Sequence, residues 1–334
     1  MRFGTVPLAQ AAGAILAHSE LLGEGRLRKG TVLGAPEIAR LAAAGLTEVT
    51  VARPDPGDVP EDAAAARLAA ALVPDPDAAR LSVSQAFTGR VNLNAAVAGI
   101  VEIDATAIHA LNRIHPAITL ATLTPYTRVT PGLLTGTVKV IAYAVPEAAL
   151  VQAEATARGA IRIRPVTRST AGLLLTEVPG QDAKLAAKGR RAIEGRLRAL
   201  GMTLAACVTV PHQAQAVAGA LGEMTGEVLL ILTGSATSDI EDTAPQAVRL
   251  AGGRVARFGM PVDPGNLLFL GDLGGRPVIG LPGCARSPAL NGADWVLERL
   301  ACGLDLAEDD IAAMGVGGLL KEIPIRPQAR EPKG

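Results

Sequence analysis

The sequence predicts an α/β protein whose second half carries a mostly parallel sheet, preceded by smaller mixed α+β and β-rich N-terminal regions. Three observations predict it. Between about residues 168 and 305, short apolar runs alternate with stretches of helical period, the pattern of strands joined by crossover helices. One run, Val228, Leu229, Leu230, Ile231 and Leu232, is apolar on both faces, as a strand covered by helices on each side must be. Before residue 165 the pattern is different, with short strand-like runs and only one long Ala-rich helical stretch.

The elements follow in order. Residues 27–51 read as a strand, a helix with Pro36 near its start and Gly45 at its end, and a second strand around Val49 and Val51. Pro54, Pro56, Gly57 and Pro60 mark a loop. A mixed region over 61–165 follows, its clearest strand at 138–145. At its end Ile161 and Ile163 alternate with Arg162 and Arg164, which puts the isoleucines on one face and the arginines on the other. In the third region strands are expected at 172–178, 203–210, 227–232, 254–258, 267–271 and 276–280. Helices are expected at 183–200, 212–224, 243–252 and 286–301. The predicted organisation is therefore 1–60, a small α+β region; 61–165, a β-rich accessory region; 166–305, the α/β domain; and 306–334, a Pro-, Arg- and Lys-rich tail or linker.

Composition narrows the function. The 334 residues are 49% apolar but only 2% aromatic, so the core is built from Ala, Val, Leu and Ile, and stacking platforms for single-stranded nucleic acid are lacking. Formal net charge is zero, so no globally basic or acidic partner is implied. Three cysteines, Cys207, Cys284 and Cys302, form neither a disulfide framework nor a paired metal motif, and no apolar run reaches the length of a membrane span. These features predict a cytoplasmic protein with no nucleic-acid or membrane partner. The four histidines are scattered, and no Walker loop, nucleophile-elbow serine or dinucleotide fingerprint is present. Charge is uneven: ten basic residues against three acidic ones lie between Arg158 and Arg198, on a solvated helix face or a landing surface for an anion.

The densest cluster of usable chemistry is the loop after Leu232. Thr233, Gly234, Ser235, Thr237 and Ser238 supply small and hydroxyl-bearing residues at the carboxyl end of a buried strand and ahead of a helix. There, free N–H groups and the helix dipole favour an anion. Asp239, Glu241 and Asp242 follow. Asp239 and Asp242 could hold Mg²⁺ against a phosphate and serve as the catalytic carboxylates; Asp242 could equally be the cap of the helix that starts at Thr243. Two further clusters, Pro264, Gly265 and Asn266, and then Pro282, Gly283, Arg286 and Ser287, bracket short strands. Arg286 and Ser287 are read as sitting at a helix start, where they could bind phosphate.

In this order and spacing the clusters resemble the molybdopterin-binding domain of molybdenum cofactor biosynthesis. Thr233, Gly234, Asp242 and Pro245 match that family's first loop, with Thr237 where its serine stands. Pro264, Gly265, Asn266 and Leu268 match a Pro-Gly-Lys/Asn-Pro-Leu motif of the molybdenum insertase branch, and Gly280, Leu281, Pro282 and Gly283 match its closing Gly-Leu-Pro-Gly. The stretch from Gly30 to Val49 is similar to the insertase's accessory-domain motif. Departures occur at Ser235, Asp239, Cys284, Ala285 and the pair Pro211 and His212; they bear on adenylate hydrolysis and metal insertion more than on pterin binding. The form Gly283, Cys284, Ala285, Arg286, Ser287, Pro288 looks like a subgroup fused to a cytidylyltransferase. The resemblance implies a three-layer molybdopterin-binding fold, molybdopterin or molybdenum cofactor with Mg²⁺ as ligands, and a homodimer (or trimer). It also implies a role in molybdate insertion or in holding the cofactor for a cytidylyltransferase domain. Two other readings stay open at this point: a degenerate scaffold on the same fold, and a phosphoester enzyme related to pyridine-nucleotide-recycling hydrolases.

Overall fold

The computed structural model describes residues 1–23, 25–180, 182 and 184–320. Two compact units divide the chain, Met1–Arg164 and Pro165–Gly334. Residues 321–334, the most Pro- and Arg-rich part of the expected tail, lie outside the described residues.

The first unit has two cores. One gathers Leu8, Leu16, Leu33, Leu41, Val49 and Val51 around a three-stranded antiparallel sheet (Arg2–Pro7, Glu48–Arg53, Ile15–Leu16) and the helix Ala35–Ala43. That helix begins with proline in its first turn and is followed by Gly45 at φ 84°, the left-handed conformation glycine adopts without strain. The other core packs the helices Glu61–Leu72, Ala105–Ile114 and Glu147–Thr156 on a four-stranded antiparallel sheet. Sequence patterning finds the first of these helices and misses the other two, one of which is marked only by its Asp104 cap accepting the Ala107 N–H at 2.9 Å. Ile161 and Ile163 are buried while Arg162 and Arg164 turn outward to Glu102, as their alternation predicts.

The second unit holds the residues of interest. Its elements are β1 (Thr170–Glu177), α1 (Lys184–Ala199), β2 (Thr203–Pro211), α2 (Ala214–Glu223), β3 (Val228–Leu232), α3 (Thr243–Leu250), β4 (Arg254–Phe258), β5 (Phe269–Leu273), β6 (Arg276–Leu281) and α4 (Gly292–Ala301). The strands form one sheet in the order β2-β1-β3-β6-β5-β4. Every residue of β3 is buried, and its alternation divides two cores. Val228, Leu230 and Leu232 pack with Ile193 and Leu197 of α1 and Val296 and Leu300 of α4. Leu229 and Ile231 pack with Val217 and Leu221 of α2 and Ala247 and Val248 of α3. Each such buried aliphatic side chain contributes about 1.5–3 kcal/mol of transfer free energy.

The expected mostly parallel sheet is a mixed one. β2, β1, β3 and β6 pair parallel, but β5 runs against both its neighbours, β6 and β4, so the last two pairings are antiparallel. The reason is in the connections. β5 and β6 are joined only by Gly274 and Gly275, both at positive φ, a two-residue hairpin turn that cannot make a parallel crossover. A second correction concerns the last helix. It starts at Gly292, not at 286, because Asn291 caps it (Oδ1 accepts the Ala293 N–H at 2.9 Å) and Asp294 closes the box on the Asn291 N–H at 2.8 Å.

Candidate functional site

The carboxyl ends of the four parallel strands bring most of the predicted residues together. β1 ends in Thr176 and Glu177, β2 runs into His212, β3 into Thr233, and β6 into Pro282. Ligands of open α/β sheets lie at this end, where the loops diverge.

The loop after β3 is fixed at both ends and open in the middle. At its start, the Gly234 N–H donates to the Thr176 hydroxyl at 2.8 Å, and that hydroxyl lies 2.9 Å from His212 Nδ1. At its end, Asp242 caps α3: one carboxylate oxygen accepts the Thr243 N–H at 2.6 Å, and the other accepts the Ser238 N–H at 2.9 Å and hydroxyl at 3.3 Å. Burial pushes the Asp242 carboxyl up, but these donors and the nearby His212 outweigh it and hold it below the ordinary carboxylate value. Between the anchors, the N–H groups of Ser235, Ala236 and Thr237 have no acceptor among the described residues. Thr233 and Thr237 are buried; Ser235, Ser238 and Asp239 are exposed.

Arg286 approaches the same loop from β6. It ends a 3-10 turn, Gly283–Arg286, and its Nη2 donates to the Thr233 carbonyl. This replaces the expected helix start: Arg286 and Ser287 precede α4 by several residues, and the Ser287 hydroxyl accepts the Ala289 N–H at 3.2 Å as an ordinary turn residue. The guanidinium of Arg286 is half-buried, and its Nε is enclosed with no hydrogen-bond partner. Burial pulls its pKa down, with no carboxylate nearby to oppose the shift. A buried, incompletely paired guanidinium is costly unless something supplies the missing acceptor. Gly189 of α1 packs against Leu232 and Arg286: a Cβ there would clash with a Leu232 methyl at 2.7 Å and stand in ordinary contact, 3.6 Å, with the Arg286 Cγ.

Pro264, Gly265 and Asn266 lie between β4 and β5, next to the start of α4. The Pro264 carbonyl accepts the Gly292 N–H at 2.8 Å, Asn266 Nδ2 donates to the Met260 carbonyl at 3.4 Å, and the Met260 N–H donates to the Asn266 carbonyl at 3.0 Å. Gly265, at φ 147°, has no room for a side chain, since a Cβ would fall 2.8 Å from the Gly292 nitrogen. The Pro264 carbonyl thus ties this turn to the start of α4, while Asn266 closes the turn on Met260.

The donor set does not fit a divalent cation. Among the described residues no three His, Cys, Asp or Glu side chains gather. Both Asp242 oxygens accept backbone hydrogens, and one Asp239 oxygen accepts the Glu241 N–H at 2.8 Å. Asp242 is thus engaged as the cap of α3, and one oxygen of Asp239 holds the local turn, so no preformed divalent-cation site is supported among the described residues.

Two residues at this end escape motif reading, and His212 enters it only as part of a departure from the family's pattern. Thr176 is signalled only by standing at the end of a parallel strand beside the one that leads to His212. Arg196, counted with the basic face of α1, is in fact buried, with Nε donating to Asp294 at 2.6 Å. Elsewhere, a concavity of about 290 Å³ in the first unit is lined by Arg2, Phe3 and Arg53. Its cations are already satisfied, Arg2 by Asp55 and Arg53 by the Gln10 carbonyl.

Among known proteins, residues 5–53 match the model of a family described as a domain of unknown function (DUF8806). No curated protein matches the chain in sequence. Among solved structures the chain is similar to the crystal structure of the molybdopterin biosynthesis moea protein from Pyrococcus horikosii. The identity is 13%, over 90% of this chain and 76% of that one, with a TM-score of 0.31, too loose a superposition to equate the two folds.

Proposed function

We propose that this protein binds a phosphate-bearing pterin of molybdenum cofactor biosynthesis, molybdopterin or its nucleotide form, at the carboxyl ends of β1, β3 and β6. The observation that carries the reading is the Arg286 guanidinium, whose enclosed Nε has no acceptor among the described residues, beside a loop with three successive N–H groups that also have none there. Together they make a cradle for a phosphate monoester: a charge from one side and backbone dipoles from the other. The motif resemblance of Thr233, Gly234, Pro264, Gly265, Pro282 and Gly283 supplies the pterin part of the proposal.

In this reading Arg286 and the N–H groups of Ser235, Ala236 and Thr237 hold the phosphate. Pro264, Gly265, Asn266, Pro282 and Gly283 wall the pocket, and the Ser238 and Asp242 pair keeps the loop in shape. No step is assigned to Mg²⁺, because Asp239 and Asp242 are engaged in the loop's own hydrogen bonds. The role is holding the ligand and handing it on, to molybdate insertion or to a cytidylyltransferase domain, in a homodimer by analogy with the family that the motifs resemble.

Calorimetric titration with molybdopterin, on wild type and on Arg286→Met, tests the reading. Wild type should bind, and the variant should bind roughly tenfold or more weakly. Folded wild type that takes up no molybdopterin, or a variant that binds it equally well, would overturn the proposal.

A further inference from the structure

Arg196 is the most completely bonded side chain at the carboxyl end of the sheet. Its five N–H donors meet five acceptors. Nε donates to Asp294 at 2.6 Å. Nη1 donates to the carbonyls of Ala285 at 2.8 Å and Ala192 at 3.4 Å. Nη2 donates to the carbonyls of Ser287 at 2.8 Å and Ala289 at 3.1 Å. Two of those carbonyls, on Ala285 and Ser287, bracket Arg286 in sequence. One buried arginine therefore grips the backbone on both sides of a second arginine, whose own Nε is left without a partner.

The segment's other hydrogen bonds are short-range turn contacts, such as the Ser287 N–H to the Cys284 carbonyl at 3.0 Å and the Ala289 N–H to the Ser287 hydroxyl at 3.2 Å. Residues 287–291 form no regular element, and the turn before them is a single 3-10 turn. Without Arg196, the carbonyls of Ala285 and Ser287 would lose their donor, that of Ala289 would keep only Asn291 Nδ2, and Asp294, next to the cap of α4, would lose its charge partner. A lysine could not replace it, because a point charge cannot divide itself among a carboxylate and carbonyls that fan across a planar fork.

We propose that Arg196 is a positioning residue: it fixes the 285–289 backbone and so aims the Arg286 guanidinium at the free N–H groups of the 235–237 loop, forming a receptor for a phosphate monoester. The inference rests on the reading of Arg286 as the anion-holding group. It adds that the site is built by a second-layer arginine that never touches the ligand.

The test is a double-mutant cycle read with inorganic pyrophosphate. Affinity is measured by calorimetry for wild type, Arg196→Lys, Arg286→Met and the double variant. Arg286→Met should weaken binding roughly tenfold or more. Arg196→Lys should weaken it several-fold when Arg286 is present and not at all when Arg286 is absent, the mark of two residues acting as one. An unchanged affinity in Arg196→Lys, or the same loss in both backgrounds, overturns the positioning role while leaving the Arg286 reading intact. An unchanged affinity in Arg286→Met overturns both. A second measurement stands independently of whether Arg196→Lys folds. In ¹⁵N spectra of wild type, the Arg286 Nε–H signal should shift as pyrophosphate is added while that of Arg196 stays in place. An Arg196 signal that moves like a ligand contact, or an Arg286 signal that stays fixed, counts against the proposal.

Discussion

The two ends of the second unit's sheet treat charge in opposite ways. At the amino ends, Glu227 stands just before β3 with one carboxylate oxygen accepting from the Ser169 N–H at 2.7 Å, the Ser169 hydroxyl at 2.8 Å, the Thr170 N–H at 2.9 Å and the Thr170 hydroxyl at 3.1 Å. At the carboxyl ends, Arg286 has an enclosed Nε with no acceptor, beside N–H groups that also have none. One oxygen of the exposed carboxylate gathers four donors, while the half-buried guanidinium keeps an enclosed Nε with no acceptor among the described residues. A fold that only needed stability would satisfy the more buried charge first. That inversion is the contrast on which the proposed phosphate site rests.

The largest effect that sharpens this contrast is at Arg286. Arg286→Met should reduce affinity for a phosphate-bearing ligand by about 1.5–3 kcal/mol, roughly 10- to 150-fold, the range for hydrogen bonds to charged groups. Its midpoint for urea unfolding should stay level or rise, because an apolar side chain of similar length removes an incompletely paired buried charge. A variant that loses stability along with binding would mean that the Thr233 carbonyl contact is structural, and the contrast between the two ends would collapse.

Asp242 tests how the open loop is kept open. Asp242→Ala removes a helix cap and the tie to Ser238, so unfolding free energy should fall by about 1 kcal/mol, within the 0.5–2 kcal/mol range of such caps. Asp242→Asn keeps an oxygen for the Thr243 N–H and should lose less. Equal stability in all three forms, with ligand binding abolished by either change, would return Asp242 to the ligand-contacting role that the motif alone implies.

Much of this end of the molecule is legible in the sequence, for identifiable reasons. The run from Val228 to Leu232 announces a strand buried on both faces, and Asn291 with Asp294 three residues on is a readable cap. The hydroxyl-rich loop lies where parallel strands end, which is enough to place a candidate site. Illegible were the features that depend on partners distant in sequence. Arg196 looks like any residue of a basic helix until its bonds to Asp294, 98 positions away, and to Ala285 are seen. His212, in sequence only part of a departure from the family's pattern, gains a physical role through Thr176, 36 positions back. The antiparallel edge could have been read, since Gly274 and Gly275 leave no length for a crossover. Alternation over the rest of the region outweighed that local signal.

The smallest expected effect lies at the amino end and follows from the sign of one shift. The N–H and hydroxyl of Ser169, with those of Thr170, pull the Glu227 pKa from an ordinary 4.5 to about 2, although partial burial works in the other direction. Because the folded value is depressed, the folded state favours the ionised carboxylate. Its contribution to stability is fully present above about pH 4.5 and is lost as pH falls toward 2. Glu227 is exposed, so solvent screening keeps that contribution below about 1 kcal/mol despite the size of the shift. Glu227→Gln should therefore be slightly less stable than wild type at pH 6, and the gap should close as the two proteins are unfolded at successively lower pH. A gap that is constant down to pH 2 would mean that the four contacts do not favour the charged form. The amino end would then be no better satisfied than the carboxyl end, and the asymmetry would lose one of its two sides.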